Sequence, residues 1–180
     1  PVPTTDSHPA TCIAWTDADA FCRWLDGLER AAGRIPAGYR IRLPTEAEWE
    51  YACRGGRQGS RFWWGDSVAD GQGRLNWLPG PNRSSHAEQV DHYGLRGRNG
   101  FGLADMLGNA REWCLDGYDP AGPHPEPYLA DVSRRVLRGG AFGYCAPMVR
   151  CASRDGSAPA DTTHVRYGFR VCCGPDHPSR

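Results

Sequence analysis

The sequence predicts a single α+β domain in which loops outweigh regular elements, and three observations lead there. A chain of 180 residues is enough for one domain and too short for two ordinary ones. Glycine (23) and proline (15) are abundant, while 39% of residues are apolar and seven are tryptophan, which suits a loop-rich domain with an aromatic core rather than a disordered chain. Only two segments carry helical signals, and four short ones read as strands.

The elements follow in order. Residues 1–15 form a lead-in ending in a short strand, Thr11 to Trp15. Thr16 caps the first helix with Asp19 three residues on, Phe21, Trp24, Leu25 and Leu28 recur at helical spacing, and Gly33 supplies a stop. Tyr39 to Leu43 alternates like a strand and ends at Pro44. Thr45 and Glu48 then form a second capping box, for a helix from Glu46 to Arg54. Residues 57–135 are mostly turn formers with scattered aromatics, so loops pinned by side-chain contacts and bound ions are expected there. Residues 135–142 and 167–173 read as strands bracketing one more polar loop.

Charge narrows the function classes. Basic and acidic residues number 21 each, so the net charge is zero, and neither nucleic acid nor membrane insertion is expected. All 21 basic residues are arginine; with no lysine, Schiff-base chemistry and Walker-A phosphate binding are excluded. Arginine offers planar, permanently charged forks, so Glu46, Glu48, Glu50, Arg150, Arg154 and Arg170 read as networks bracing irregular loops. No Ser-His-Asp order or nucleophile elbow appears, and His164 near Asp161 reads as a loop histidine. Trp49, Trp64 and Trp113 read as core. Pro1 is not an initiator methionine, so a processed or trimmed fragment is expected, covering 1–180 as one domain.

The ordered strings Arg42-Leu43-Pro44-Thr45-Glu46-Ala47-Glu48-Trp49-Glu50-Tyr51-Ala52, Asn99-Gly100-Phe101-Gly102-Leu103, Asp105-Met106-Leu107-Gly108-Asn109-Ala110-Arg111-Glu112-Trp113, Arg138-Gly139-Gly140 and Gly168-Phe169-Arg170 resemble the formylglycine-generating-enzyme (sulfatase-modifying factor) family. The resemblance implies an irregular C-type lectin-like fold with two short helices and small antiparallel sheets. It also implies that part of the family's N-terminal sheet is missing, shortened or replaced. The family includes copper-dependent oxidases, iron-dependent sulfoxide synthases and binding proteins, among them the variable proteins of diversity-generating retroelements. Fold therefore leaves function open.

The loop after Gly139-Gly140 discriminates among these. Copper(I) prefers two thiolates presented together, which the oxidase supplies as Cys-x-x-x-x-Cys. Here Cys145 and Cys151 are separated by five residues, and Arg150-Cys151-Ala152-Ser153-Arg154 resembles the setting of the family's structural cysteine. That leaves Cys145 as the one catalytic candidate should the chain be an enzyme. By the resemblance, Cys53 pairs with Cys151 and Cys22 with Cys172 or Cys173, Cys173 being assigned. Cys12, Cys114 and Cys145 stay unassigned. Disulfides would favour an extracellular or cell-surface location. No Cys-x-x-Cys is present for zinc.

The resemblance further assigns one structural calcium to Asp105 and Glu112 through side chains and to Gly108 and Ala110 through carbonyls, all oxygen donors. The competing role for the two carboxylates is salt-bridging to arginine. A second calcium would need ligands after Asn76, where Leu78 to Gln89 is too divergent to assign them.

Segments 143–148 and 155–167 carry the Gly, Tyr, Asp, Ser, Thr, His and Arg mixture that the retroelement variable proteins display. The expected function is a non-catalytic display protein binding a protein or other macromolecule through Gly143, Tyr144, Cys145, Met148, Asp155, Ser157, Thr162, Thr163, His164, Arg166 and Tyr167. The alternative is a copper-dependent formylglycine-generating oxidase or a sulfoxide synthase.

Overall fold

A computed structural model describes residues 5–78, 85–129, 133–154 and 156–177. Helix α2 (Glu46–Arg54) starts at the predicted box: the Glu48 N–H donates to the Thr45 hydroxyl at 3.1 Å, and the Thr45 N–H donates to the Glu48 carboxylate at 2.8 Å. It stops at Gly55, whose left-handed φ of 57° and close approach to the Gly100 backbone require glycine. Helix α1 (Trp15–Ala31) is capped at Ala14, not at Thr16; the Asp17 carboxylate accepts the Ala14 N–H at 3.1 Å, and Asp19 pairs with Arg23 instead.

Three further expectations are corrected here. Thr11 to Trp15 is not a strand: single hydrogen bonds tie Cys12 and Ile13 to the carbonyls of His164 and Tyr167, and Trp15 already belongs to α1. The periodic residues Phe21, Trp24 and Leu28 face outward, Trp24 being 60% exposed, while Ala18 and Cys22 form the buried face. The segment after residue 57, expected to be loop, contains the central strand of the larger sheet.

That strand is β2 (Arg111–Gly117), and the sheet order is β4-β3-β2-β5. Strand β3 (Arg135–Arg138) is antiparallel to β2 with Glu112 opposite Arg138, and β4 (Ser157–Ala158) continues the antiparallel edge. Strand β5 (Tyr167–Phe169) is parallel to β2, so the sheet is mixed rather than wholly antiparallel. The connection 139–166 makes this possible, since it is long enough to carry the chain from one side of β2 to the other. The expected strand 135–142 ends at Arg138 because Gly139 and Gly140 both take positive φ (90° and 68°). The expected strand 167–173 divides: β6 (Cys172–Pro175) leaves the larger sheet to pair with β1 (Tyr39–Arg42).

Two apolar clusters flank this scaffold. One gathers Trp49, Phe62, Trp77, Met106, Leu107 and Val136 with the thiols of Cys53, Cys114 and Cys151. The other packs Ala18 and Cys22 of α1 against Leu43, Trp113 and Leu137. Trp49 and Trp113 are buried as expected, whereas Trp64 is half-buried and stacked on Phe62 at 4.6 Å.

Arginine forks brace the interior. Arg154 makes a bidentate pair with Glu46 at 2.7 and 2.9 Å. Arg138, with Glu46 and Glu50, links α2 to β3. Arg42 holds Glu48, and Arg170 holds Glu112. Arg150 departs from the expected network: it is exposed and donates to the Pro147 carbonyl. Among the described residues no helix is long and apolar enough to cross a membrane.

Candidate functional site

The loop leaving β3 folds back over the end of β2, and contacts within it define a surface. The Arg111 N–H at the start of β2 donates to the Arg166 carbonyl at 2.7 Å, tying the return of the loop to the sheet. The Arg111 guanidinium is nearly buried, lies 5.2 Å from the Tyr144 ring centre and donates to the Tyr144 hydroxyl oxygen at 3.3 Å. Arg166 sits 4.8 Å from the Phe142 ring centre and 5.5 Å from that of Tyr144, and its Nε donates to the Phe142 carbonyl at 3.1 Å. Two cations thus share one tyrosine ring, a favourable placement over a π face. Gly143, at φ 75°, lets Arg166 lie close; a Cβ there would stand 3.3 Å from its Nη2.

His164 borders this pair. Its Nδ1 accepts the Arg166 backbone N–H at 3.1 Å and its ring meets Tyr167 at 5.1 Å. Partial burial, then the charges of Arg166 and Arg111, hold its pKa below the usual histidine value. Tyr167 turns its ring onto Trp113 at 5.3 Å, so it supports the surface from beneath.

The remaining expected residues are dispersed. Cys145 is exposed and Met148 half-buried in the short 3₁₀ turn Ala146–Val149 and its entry. Ser157 lies in β4, where Arg134 donates to its hydroxyl and carbonyl at 3.0 and 2.6 Å. Thr162 and Thr163 belong to a turn closed by the Thr162 N–H on the Pro159 carbonyl. Asp155 lies outside the described residues. Sequence reasoning missed Arg111 and Phe142. A charged residue flanking the buried Glu112-Trp113 pair, and an aromatic one two residues after Gly139-Gly140, were the available signals.

Thiols are arranged by the core. Cys53 and Cys151 meet with sulfurs 3.5 Å apart; burial raises the Cys53 pKa and its S–H is directed at Cys151. All eight cysteines are thiols in this structure. Cys22 is buried, its pKa pushed up to about 12 by desolvation, with Asp19 and then Cys172 as its next neighbours in effect. Cys172, the alternative partner expected for Cys22, is half-buried, and the assigned Cys173 is exposed in β6. Cys114 is buried, with its pKa raised by desolvation.

Asp105 and Glu112 line one cleft of about 460 Å³ together with Asn109, Ala110 and Arg170. Both Asp105 and Asn109 take positive φ (54° and 58°), which folds the intervening turn tightly. Burial raises the Asp105 pKa, against the Asp91 N–H it accepts at 2.7 Å, so a neighbouring cation would favour its charged form. Glu112 is differently placed. Trp49 Nε1 and Arg170 Nε donate to its Oε2 at 2.6 and 2.7 Å, and Arg170 Nη2 donates to Oε1 at 2.8 Å. The arginine pairing weighed against calcium is thus present at Glu112, while Asp105 suits a cation ligand. Among the described residues no group of three or more His, Cys, Asp or Glu side chains is set to hold a metal ion.

Comparison with known proteins places this geometry in a family. Residues 1–174 match the model for the sulfatase-modifying factor enzyme 1-like domain. The chain belongs to that family. It is 36% identical over 186 residues to a formylglycine-generating enzyme of Streptomyces coelicolor, covering 94% of this chain and 54% of the relative. It is 32% identical over 181 residues to the mouse protein named inactive C-alpha-formylglycine-generating enzyme 2, covering 94% of this chain and 50% of that one. The chain thus spans about half the length of these relatives. Among solved structures, Treponema denticola variable protein 1 superposes with a TM-score of 0.78 at 24% identity, covering 97% of this chain and 74% of that one. That likeness establishes the shared fold.

Proposed function

We propose that this domain is a non-catalytic binding module that displays a recognition surface on the connection between β3 and β5. The observation carrying this reading is the placement of Cys151 in the core against Cys53, which leaves Cys145 exposed and without the second thiolate that a copper(I) oxidase requires. The likeness to a relative named inactive supports it, since the family's scaffold persists there under that name. The proposed partner is a protein or other macromolecule met by residues 143–148 and 156–167, with Tyr and Arg as anchors. The proposal extends to one structural calcium at Asp105 and Glu112 with the carbonyls of Gly108 and Ala110; it would neutralise the buried Asp105 and would require Glu112 to share its oxygens with Arg170.

The competing reading is a formylglycine-generating oxidase, favoured by the 36% identity to the Streptomyces coelicolor enzyme. Copper(I) titration against a chromogenic chelator, combined with oxygen uptake on a cysteine-containing peptide, decides between them. The binding reading expects no uptake and no copper retained by two thiolates. Tight copper binding with oxygen consumption that Cys145→Ala abolishes would overturn it. Calcium is tested by melting temperature in calcium against chelator: an increase lost in Asp105→Asn supports the site, and identical melting counts against it.

A further inference from the structure

We infer that Tyr144, His164 and Arg166 form a carboxylate-binding site, which takes an acidic side chain of a protein partner. The inference rests on the reading of this loop as a recognition surface and adds the chemistry of what it recognises.

Arg166 uses Nε on the Phe142 carbonyl, and this bond, with Phe142 and Tyr144 beside the guanidinium, fixes the plane of the fork. Its Nη groups make no ion pair with a carboxylate among the described residues. The Tyr144 oxygen already accepts from Arg111, so its own proton points to another acceptor. Because His164 Nδ1 accepts the Arg166 N–H, the neutral ring carries its proton on Nε2, which gives a third donor. His164 is exposed, while Tyr144 and Arg166 are half-buried.

Charge points the same way. The charged groups that act on His164 are Arg166 and Arg111, and both disfavour a further positive charge there. A fork held in one plane by its Nε bond matches a carboxylate with two parallel hydrogen bonds, which lysine could not supply. A tyrosine hydroxyl and an imidazole N–H from the same loop would add donors for the remaining lone pairs. An approaching cation meets repulsion, and a neutral amide meets fewer charge-assisted bonds.

The test uses the whole chain with two short blocked peptides, one carrying a central glutamate and one a central glutamine. Binding is followed by the NMR signals of the Arg166 side chain and the His164 ring. The glutamate peptide should shift both sets, with affinity falling as salt is raised, and the glutamine peptide should not. Arg166→Gln should weaken binding roughly tenfold or more. Tyr144→Phe, which keeps the ring in place, should weaken it a few-fold, and Arg57→Gln, the same charge change beyond α2, should leave it unaltered. Equal binding of the glutamine peptide at these signals would overturn the carboxylate assignment while leaving the recognition surface standing. Shifts confined to other regions, or none, would also overturn the assignment. Failure of the underlying reading would register separately, as copper retention and oxygen uptake.

Discussion

Arg138→Met removes the most deeply set fork in the molecule. The side chain is fully buried and bridges α2 to the loop after β3, with Nη1 donating to the Ser153 carbonyl at 2.7 Å and Nη2 to that of Cys151 at 2.8 Å. It also pairs with Glu50 and Glu46, and lies 5.3 Å from the Trp49 ring centre. The two carboxylates keep partners after the substitution, since Arg154 holds Glu46 and Arg54 holds Glu50. The two carbonyls lose charged donors inside the core, at about 1–3 kcal/mol each. Against that, methionine no longer desolvates a guanidinium whose Nε finds no acceptor. A net loss of about 3 kcal/mol results, at the low end of what breaking a buried ion pair costs. For a chain of this size that corresponds to a melting decrease of roughly 6–12 °C. Urea unfolding followed by tryptophan fluorescence measures it, with Arg154→Met as the comparison because that arginine is partly exposed. A change under about 1 kcal/mol, or a larger loss from Arg154→Met, would refute the claim that Arg138 anchors the loop.

Two further outcomes are expected. Burial alone would raise the Glu48 pKa, but the Arg42 guanidinium and the Thr45 N–H outweigh it and hold it below the usual carboxylate value. The stability it contributes is therefore present above the unfolded-state pKa and lost as pH falls through the lower folded value. Glu48→Gln should destabilise the domain at neutral pH and match the wild type in acid, as melting curves across that range will show. Mild oxidation should join Cys53 to Cys151 and stabilise the fold by about 4 kcal/mol, as expected for closing so long a loop. Peptide mapping without reductant identifies the bond, and mapping that finds Cys151 joined to Cys145 would contradict the described packing.

Local chemistry made α2 legible: Thr45, Glu48 and Gly55 each act within one or two turns of the chain, so their roles can be read without knowing the fold. The start of α1 misled because its cap, Ala14, has no capping side chain: the Asp17 carboxylate accepts the Ala14 N–H, and tertiary bonds of Cys12 and Ile13 to the 164–167 segment hold the entry to the helix. Strand β2 was hidden for a different reason. Its residues are nearly all buried, charged ones included, because Glu112 and Asp116 have partners supplied from distant segments: Arg170 and Trp49 for one, the N–H groups of Glu46 and Tyr128 for the other. A strand buried on both sides by such partners shows no alternation. At the candidate surface, residue types named Tyr144, His164, Arg166 and Tyr167 as anchors, yet only folding turned the Tyr167 ring onto Trp113 and separated the other three from Ser157 and Met148. The donor direction at each atom depends on contacts with Phe142 and Arg111 that no spacing reveals.

The placement of β3 and β5 on opposite sides of β2 has a consequence for how such a domain can change over generations. The connection between them starts and finishes at positions fixed by the sheet, roughly two strand spacings apart, or about 10 Å. For a flexible segment with fixed ends, doubling its length adds only about 0.6 kcal/mol of closure entropy. Most of the large buried side chains lie outside this segment, which is anchored by Phe142, Val149, the Cys151 thiol and the short strand β4. Insertions and wholesale replacement of its exposed residues therefore cost little so long as those anchors stay. The fold separates the part that must be kept in order to exist from the part whose exposed residues are free to vary.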